Sequence, residues 1–431
     1  MPFDTVGTVH IIGAGLSGLA AAVALVRQGR SVAVYESAGQ AGGRCRSFYD
    51  KTLDREIDNG NHFLLSGNHA AFAYIDAIGA RGEIIGPDKA AFPFVDVRTG
   101  ARWTIDMNRG PVPYWIFDKS RRIPDTSLTD YLPMLRLALA GRETTVADVT
   151  GSEGVLYERF WEPMTLAVLN TTPENGQARL MWAVFRETFL KGADACALRV
   201  ARNGLGKALV EPAVAMLSNA GAPVRFNRRL RSLSVEGDRV AALQFTDGDV
   251  EVGAGDAVIL ALPPSKLKGV LPDLDPPADE ASIVNAHYRL RRQVSMPPGS
   301  PENCPLIGML NSDAQWATVR GDLVSLTISA GHELGLDDVA ADDLAPRLWA
   351  ETQIALGLQN EPYEVARIIK EKRATFDQSP AGVAKRLEPR LDGVANLALA
   401  GDHTDTGLPA TIESSIRSGN IAAAIAVGRG A

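Results

Sequence analysis

The hydrophobic pattern at the N-terminus predicts a strand, a helix and a second strand in close succession. An apolar run from Val9 to Gly13 is typical of a short buried strand, and the small residues from Ser17 to Gln28 favour a closely packed helix. A second apolar run covers Ser31 to Glu36. We therefore expect a βαβ unit here, as in α/β domains with a parallel sheet.

Further along, the pattern divides the chain into alternating parts. Residues 129–216 have mainly helical spacing, residues 224–262 and 283–329 contain strand-like runs, and residues 397–427 give a strand, a loop and a helix. We expect an α/β fold with a Rossmann-like nucleotide domain built from residues 1–110, 223–270 and 386–431. A mixed α+β substrate domain would comprise a mainly helical region at 111–222, facing substrate or membrane, and sheet and helices at 271–385.

Composition supports a large folded protein and excludes some partners. The chain has 431 residues, 45% of them hydrophobic and 22% charged, which suits two connected domains with a sizeable core. Its formal charge is −7, with 44 basic and 51 acidic residues. Because no broad basic surface is indicated, we do not expect nucleic acid as a partner.

The cysteines and the apolar runs bear on location. Cys45, Cys196 and Cys304 are far apart and have no zinc-ligand spacing, so we expect a reducing cytoplasm and no metal. The uncharged run from Ile11 to Val26 is short for a membrane span and contains three glycines. Shallow docking on the inner face of the plasma membrane stays open.

A glycine motif follows the first strand. Gly13, Gly15 and Gly18 lie between that strand and the helix, where glycines allow a tight turn and close approach of a pyrophosphate, and Ser17 lies among them. Glu36 follows Gly18 by 18 residues, at the end of the second strand, where its carboxylate can bind both ribose hydroxyls of an adenosine. This combination predicts a dinucleotide site.

Two further segments select FAD as the cofactor. Gly42, Gly43 and Arg44 add a second glycine turn and a cation that NAD enzymes do not need, although an ordinary glycine loop remains an alternative. Near the C-terminus, Gly401 and Asp402 precede a helix that begins near Thr411 and Ile412. Its N-terminus would face the flavin, or else Thr411 simply caps a helix with Glu413 in its first turn.

Together these motifs resemble those of the FAD-dependent amine oxidase and carotenoid desaturase superfamily. The carrying residues are Gly13 to Gly18, Glu36, Gly42-Gly43-Arg44 with Arg46-Ser47, and Gly401-Asp402. Three longer segments, 58–68, 156–163 and 404–413, are similar to the squalene-associated branch, the hydroxysqualene dehydroxylase family. The similarity extends over nearly the whole chain.

The resemblance implies reductive removal of a hydroxyl group from a long isoprenoid, hydroxysqualene, to give squalene. That chemistry needs an acid near the hydroxyl group and a hydride from reduced flavin. His62 is the first candidate for the acid, with Asp58 as an orienting partner, and Asp405 is the rival. The resemblance also implies cofactor contacts at Gly60, Asn61 and Leu230.

The substrate pocket is harder to predict. Trp161 is our candidate for its wall, although aromatic residues at helical spacing are more often core. Asn170 reaches the pocket or caps the following helix. His403 stands where this family usually has tryptophan, so it is either a pocket residue or an exposed loop residue.

Tyr114, Trp115 and Phe117, followed by Lys119, Arg121 and Arg122, combine interfacial aromatics with cations. They predict contact with a membrane surface, or alternatively a surface loop packed on its own domain.

Two other functions stay open. A carotenoid-type desaturase would use the same fold in the oxidative direction, and a flavin-bound lipid carrier would not turn over. No motif identifies the electron donor.

Overall fold

Strands and helices alternate through the computed structural model, which describes residues 7–278 and 280–428. The strands, in chain order, are β1 (Val9–Ile12), β2 (Val32–Tyr35), β3 (Ser47–Asp50), β4 (Arg55–Asp58), β5 (Phe63–Leu65), β6 (Ile84–Ile85), β7 (Ala91–Asp96), β8 (Arg102–Asp106), β9 (Leu198–Ala201), β10 (Val224–Arg225), β11 (Leu230–Glu236), β12 (Arg239–Phe245), β13 (Gly248–Glu251), β14 (Ala257–Leu260), β15 (Ala281–Arg289), β16 (Leu306–Leu310), β17 (Trp316–Arg320), β18 (Leu323–Ile328), β19 (Val365–Thr375) and β20 (Leu397–Leu399). The helices are α1 (Leu16–Val26), α2 (His69–Ala77), α3 (Pro133–Arg136), α4 (Val146–Thr150), α5 (Glu162–Leu169), α6 (Ala178–Glu187), α7 (Ala193–Cys196), α8 (Glu211–Asn219), α9 (Pro264–Val270), α10 (Ala341–Leu356), α11 (Pro380–Ala384) and α12 (Ile412–Ala426).

A parallel sheet joins three distant parts of the chain. Its strand order is β10-β2-β1-β14-β20, and each neighbouring pair is parallel. All four residues of β1 and of β14 are buried, as expected for strands covered on both faces. The sheet confirms the Rossmann-like α/β domain that the sequence predicts.

The first and last helices pack closely against each other. A side chain at Gly419 of α12 would lie 2.2 Å from the carbonyl oxygen of Ser17 in α1, so only glycine permits this approach. Since α1 follows β1 and α12 follows β20, both helices begin at the carboxyl edge of the parallel sheet. That edge is where ligands bind in doubly wound folds.

A second, seven-stranded sheet has the order β19-β15-β18-β17-β16-β7-β8. Here the structure differs from the expected division at residue 110, because β7 and β8 pair with this sheet and not with the nucleotide-binding one. The apolar face of β7 explains the difference, since Phe92 and Phe94 share a core cluster with Leu306 and Trp316.

Helices α5 and α6 cover one end of this sheet through an aromatic core. Phe185 stacks on Trp161 with ring centroids 5.6 Å apart and on Phe189 at 4.7 Å. No helix within the described residues is long and apolar enough to cross a membrane.

Candidate active site

Two glycine turns meet at the N-terminus of α1. A Cβ at Gly13, whose φ is +106°, would lie 2.3 Å from the oxygen of Ala261, and a Cβ at Gly18 would lie 1.9 Å from the oxygen of Gly13. Gly15 differs, because a Cβ there meets no described atom within 4 Å. Gly43 of the second turn packs against Gly15: a Cβ added at Gly43 would lie 3.4 Å from the Cα of Gly15. The open side of Gly15 and the N-terminus of α1, which has no side-chain cap, fit a pyrophosphate.

Glu36 is fixed beside these turns. Its Oε2 accepts a 2.8 Å hydrogen bond from the backbone N–H of Ala14, and its Oε1 accepts one of 2.8 Å from Ala38. The backbone N–H of Arg228 donates to the carbonyl oxygen of Glu36 at 2.8 Å, so that Leu230, at the start of β11, lies close in the fold to this end of the site. A carboxylate held in this way fits the ribose of an adenosine.

Arg44 ties the second glycine turn to the C-terminal segment. Its guanidinium donates 2.7 Å to Oδ1 of Asp402 and 2.6 Å to the carbonyl oxygen of Ala374. Burial by itself raises the pKa of the Asp402 carboxyl, but the charge and hydrogen bond of Arg44 outweigh it and hold that pKa below its usual range. Asp402 is therefore ionised, and residues 358 positions apart form one unit.

The N-terminus of α12 lies at the same cavity. Thr411 is the N-cap of α12 and accepts a 3.1 Å hydrogen bond from the N–H of Ser414, which confirms the cap. Thr411 and Ile412 also line the cavity. Glu413 is 1% exposed, and its carboxylate accepts hydrogen bonds from Ala70 and Ala71 at 3.0 and 2.8 Å, so it caps the neighbouring helix α2.

The segment after β4 brings His62 into this cavity. Gly60, Asn61 and His62 all line it, and Asn61 donates 3.3 Å hydrogen bonds to the oxygens of Leu326 and Thr327 in β18. Although His62 is exposed to the cavity, the surrounding protein strips its hydration and lowers the pKa of the imidazole. The negative charge of Asp58 raises that pKa and the positive charge of Arg44 lowers it, with a net lowering.

The cavity has a polar side and an apolar side. The polar side contains Arg44, His62 and the N-terminus of α12. The apolar side comes from α5, α6, the seven-stranded sheet, the strands β5 and β9, and the loop before α12. Its apolar lining comprises Phe63, Leu65, Ala167, Val168, Val184, Val200, Ile283, Leu306, Trp316 and Leu408. Phe63 and Trp316 meet edge to face, with ring centroids 5.4 Å apart. The cavity thus places an apolar space beside the segments that fit FAD.

Two cavity carboxylates have no signal in the sequence. Glu371 of β19 lines the cavity, and its Oε2 accepts a 3.0 Å hydrogen bond from Asn59. Glu187, at the end of α6, also lines it and is paired with Arg417. Their partners are 312 and 230 residues away in the chain, so only the folded sheet and helices reveal them.

Neither Trp161 nor Asn170 reaches the cavity. Trp161 is 1% exposed and packs against Phe160 and Phe185, so the core alternative is correct. Asn170 has a φ of +51° and ends α5, and its amide bonds Thr375 at 2.9 Å and the N–H of Ala330 at 2.7 Å. It joins the helical region to the sheet.

His403 is also outside the cavity lining, but it is not exposed. Its side chain is buried, and a Cβ at Gly401 would lie 2.3 Å from its Cε1. Gly401 therefore leaves room for the imidazole ring, and the expectation that His403 is either a pocket residue or an exposed loop residue is wrong.

Asp58, expected to orient His62, and Asp405, expected as the rival acid, are both bonded elsewhere. Asp58 accepts hydrogen bonds from Ser47 and from the N–H of Leu205 and lies 3.6 Å from Arg320, and among the described contacts it does not bond His62. Asp405 is exposed, and its carboxylate accepts from the N–H of Gly407 at 3.0 Å. Asp58 holds the cavity wall, and Asp405 faces solvent.

The aromatic segment at 114–117 is partly exposed. Tyr114 and Phe117 are 63% and 61% exposed, but Trp115 is 2% exposed and packs edge to face on Tyr131 at 5.7 Å. Trp115 thus anchors the segment to its own domain, and the prediction that Trp115 contacts a membrane is wrong.

Comparison with known proteins agrees with this geometry. Residues 16–427 match the family described as flavin containing amine oxidoreductase. A protein of Rhodopseudomonas palustris named hydroxysqualene dehydroxylase is 45% identical over 98% of this chain and 99% of its own. One of the same name from Sinorhizobium fredii is 44% identical over 97% of this chain and 98% of its own.

More distant proteins share less of the chain or only its fold. A probable zeta-carotene desaturase of Synechococcus elongatus is 28% identical over 62% of this chain and 60% of its own. The structure of cyclohexylamine oxidase from Brevibacterium oxydans superposes with a TM-score of 0.73 at 15% identity, covering 98% of this chain and 99% of that one. At that identity the likeness concerns the fold alone.

Proposed function

Because the chain belongs to the flavin-containing amine oxidoreductase family, and within it to the proteins named hydroxysqualene dehydroxylase, we propose that it converts hydroxysqualene to squalene with FAD as cofactor. In this reaction the alcohol takes up a proton and a hydride and releases water. The observation that supports it best is the cavity itself, where a single histidine faces an apolar wall beside the FAD-binding segments.

The chain supplies binding groups for each part of the cofactor. Gly15 leaves space for the pyrophosphate, Glu36 binds the ribose of the adenosine, and the pair of Arg44 and Asp402 together with the N-terminus of α12 lies towards the flavin. When bound in its reduced form, FAD supplies the hydride that replaces the hydroxyl group.

His62 is the proton donor in this proposal. Its imidazolium protonates the hydroxyl oxygen, the carbon–oxygen bond breaks, and water leaves an allylic cation. A lowered pKa makes the protonated ring a stronger acid, which suits transfer to a weakly basic alcohol.

The apolar side of the cavity has two tasks. It holds the isoprenoid chain by burying apolar surface, and it keeps water away from the cation. The faces of Phe63 and Trp316, which line the cavity together, are suited to stabilise a positive charge nearby. We also propose a cytoplasmic location at a membrane surface, where a substrate of this kind partitions.

An anaerobic single-turnover experiment tests the function. Protein loaded with FAD and reduced with dithionite is mixed with hydroxysqualene, and the products are extracted. We expect squalene and reoxidised flavin in equal amounts. Hydroxysqualene that binds without reoxidising the flavin would indicate a lipid carrier, whereas bleaching of oxidised flavin by a carotenoid polyene would indicate a desaturase.

A further inference from the structure

Exposed apolar side chains concentrate in one segment of the helical region. Within residues 112–139, the large apolar side chains at least 45% exposed are Val112, Tyr114, Phe117, Leu128, Leu132, Leu135 and Leu139. Leu139 reaches 86% and Leu135 67%. Single exposed apolar residues are common, but such a concentration marks an interaction surface.

The helical register places four leucines on one side. Residues 128–139 form continuous helical turns around α3, and Leu128, Leu132, Leu135 and Leu139 follow one another at intervals of four, three and four. Tyr131 and Leu137, which lie between these leucines in the chain, are buried and anchor the segment. We call the four leucines with Tyr114 and Phe117 the apolar patch.

The two stretches of the apolar patch pack together. Trp115, which lies between Tyr114 and Phe117, contacts the ring of Tyr131, which lies between Leu128 and Leu132. The backbone N–H of Ile123 also donates a 3.3 Å hydrogen bond to the hydroxyl of Tyr131. The aromatic and leucine sides of the patch are therefore joined through one anchor.

Cations without partners lie in the same segment. Lys119, Arg136 and Arg142 are exposed, and none of them forms an ion pair with any residue that the structure describes. Residues 112–142 contain five basic and three acidic residues, a net charge of +2, whereas the chain as a whole carries −7. Apolar side chains with cations beside them are the chemistry that binds the headgroups and upper acyl chains of anionic lipids.

The apolar patch adjoins the wall of the cavity. Leu137 shares a core cluster with Met181 and Phe185 of α6, and the same helix presents Val184 and Glu187 to the cavity. We propose that the apolar patch docks the protein on an anionic phospholipid bilayer. The proposal rests on the proposed function in one respect: docking would let the protein take a long isoprenoid from the bilayer.

Vesicle flotation tests the docking directly. FAD-loaded protein is mixed with vesicles of phosphatidylcholine alone or with 30% phosphatidylglycerol, at low and high salt. We expect flotation with the anionic vesicles, weakened by salt. The triple variant Leu132→Ser, Leu135→Ser and Leu139→Ser should bind at least about tenfold less, because three side chains that insert are lost.

A matched variant and a solution measurement complete the test. Tyr49→Ser, Leu334→Ser and Ile354→Ser replace three exposed apolar residues elsewhere and should leave flotation unchanged. Equal flotation of the leucine variant and the wild-type protein would overturn the proposal, as would a dimer that the leucine substitutions dissociate. Both variants should turn over detergent-dispersed hydroxysqualene, so a failure of docking is distinct from a failure of the proposed function.

Discussion

At the scale of single residues, the choice of proton donor depends on which titratable side chains line the cavity. His62 and Glu371 both line the cavity, His62 from the segment after β4 and Glu371 from β19, and the hydrogen bond from Asn59 to Glu371 joins these two elements. Asp58 and Asp405, which are attractive from sequence position, are bonded elsewhere. The acid is therefore to be sought among the groups that line the cavity.

Removing the imidazole of His62 should slow the chemical step and spare binding. We expect His62→Ala to lower the single-turnover rate of flavin reoxidation roughly 10²–10⁴-fold, the usual contribution of a general acid. FAD affinity should change little. His69→Ala, at an exposed histidine outside the cavity lining, is the matched control and should keep the wild-type rate.

The rate should also depend on pH in a direction set by His62. Since desolvation lowers its pKa below 6.5, only a minority of the protein carries the proton at neutral pH. The single-turnover rate should rise as the pH falls from 8 to 6 and level off below the pKa of His62. A rate that is flat over this range in wild-type protein would contradict the assignment.

Glu371 is the second candidate for the acid, because the other carboxylates that line the cavity are committed, Glu187 to Arg417 and Glu413 to the N-terminus of α2. Its carboxylate accepts a hydrogen bond from Asn59, so Glu371→Gln keeps the shape but loses the ability to exchange protons. If His62 is the acid, this variant should stay within about threefold of the wild-type single-turnover rate and keep the same pH profile. Loss of the rate with Glu371→Gln, together with a normal rate in His62→Ala, would transfer the role to Glu371.

At the scale of elements, the glycines at the start of α1 have separable tasks. Gly15 faces open space, whereas a side chain at Gly18 would collide with the carbonyl oxygen of Gly13. Gly15 leaves room for a ligand, and Gly18 lets the helix pack closely on the strand before it. Substitution should therefore affect binding at one position and folding at the other.

We expect Gly15→Ala to fold as the wild type does, because its φ of −73° suits alanine and no described atom lies within 4 Å of the new methyl group. Its FAD affinity should fall at least about tenfold, since the methyl group occupies the approach of the pyrophosphate. Gly18→Ala should instead lower the unfolding midpoint without FAD. Thermal unfolding and FAD titration of both variants measure the two effects. Normal FAD binding by Gly15→Ala would refute the assignment of Gly15 to the pyrophosphate site.

Local patterns predict elements well when one strand and one helix suffice to define them. The βαβ unit, its glycines and the cap at Thr411 are of this kind, and the structure places them within two residues of expectation. Trp161 and Asn170 are not, because a buried aromatic and a helix-ending asparagine look the same in sequence whether or not a cavity lies nearby. The prediction for His403 is wrong for a related reason. Its ring is buried in the space that Gly401 leaves, and this packing is visible only in the folded structure.

At the scale of the whole molecule, the site depends on how distant segments meet. The sequence identifies the candidate FAD-binding segments one by one. The pairing of Asn59 with Glu371 and of Glu187 with Arg417 instead follows from the packing of β19, α6 and α12. The exposure of the leucines in the apolar patch is likewise a property of the fold. Their spacing alone is equally typical of a buried helix face.

Because the proposed FAD site is built from segments near both ends of the chain, FAD should stabilise the protein as a whole. Even in the absence of FAD, the proposed pyrophosphate site at Gly15 and the helix cap at Thr411 are connected by the Arg44–Asp402 pair and by the packing of α1 on α12. A ligand that bridges them binds only the folded state and adds about 2.7 kcal/mol at a concentration 100 times its Kd. We expect the unfolding midpoint to rise with FAD and to rise less with AMP at the same free concentration, because AMP would reach only the Glu36 end and should have a higher Kd. If AMP and FAD at equal free concentration raised the midpoint equally, the C-terminal segment would add nothing to binding, and the assignment of Asp402, Thr411 and Ile412 to the cofactor would be wrong.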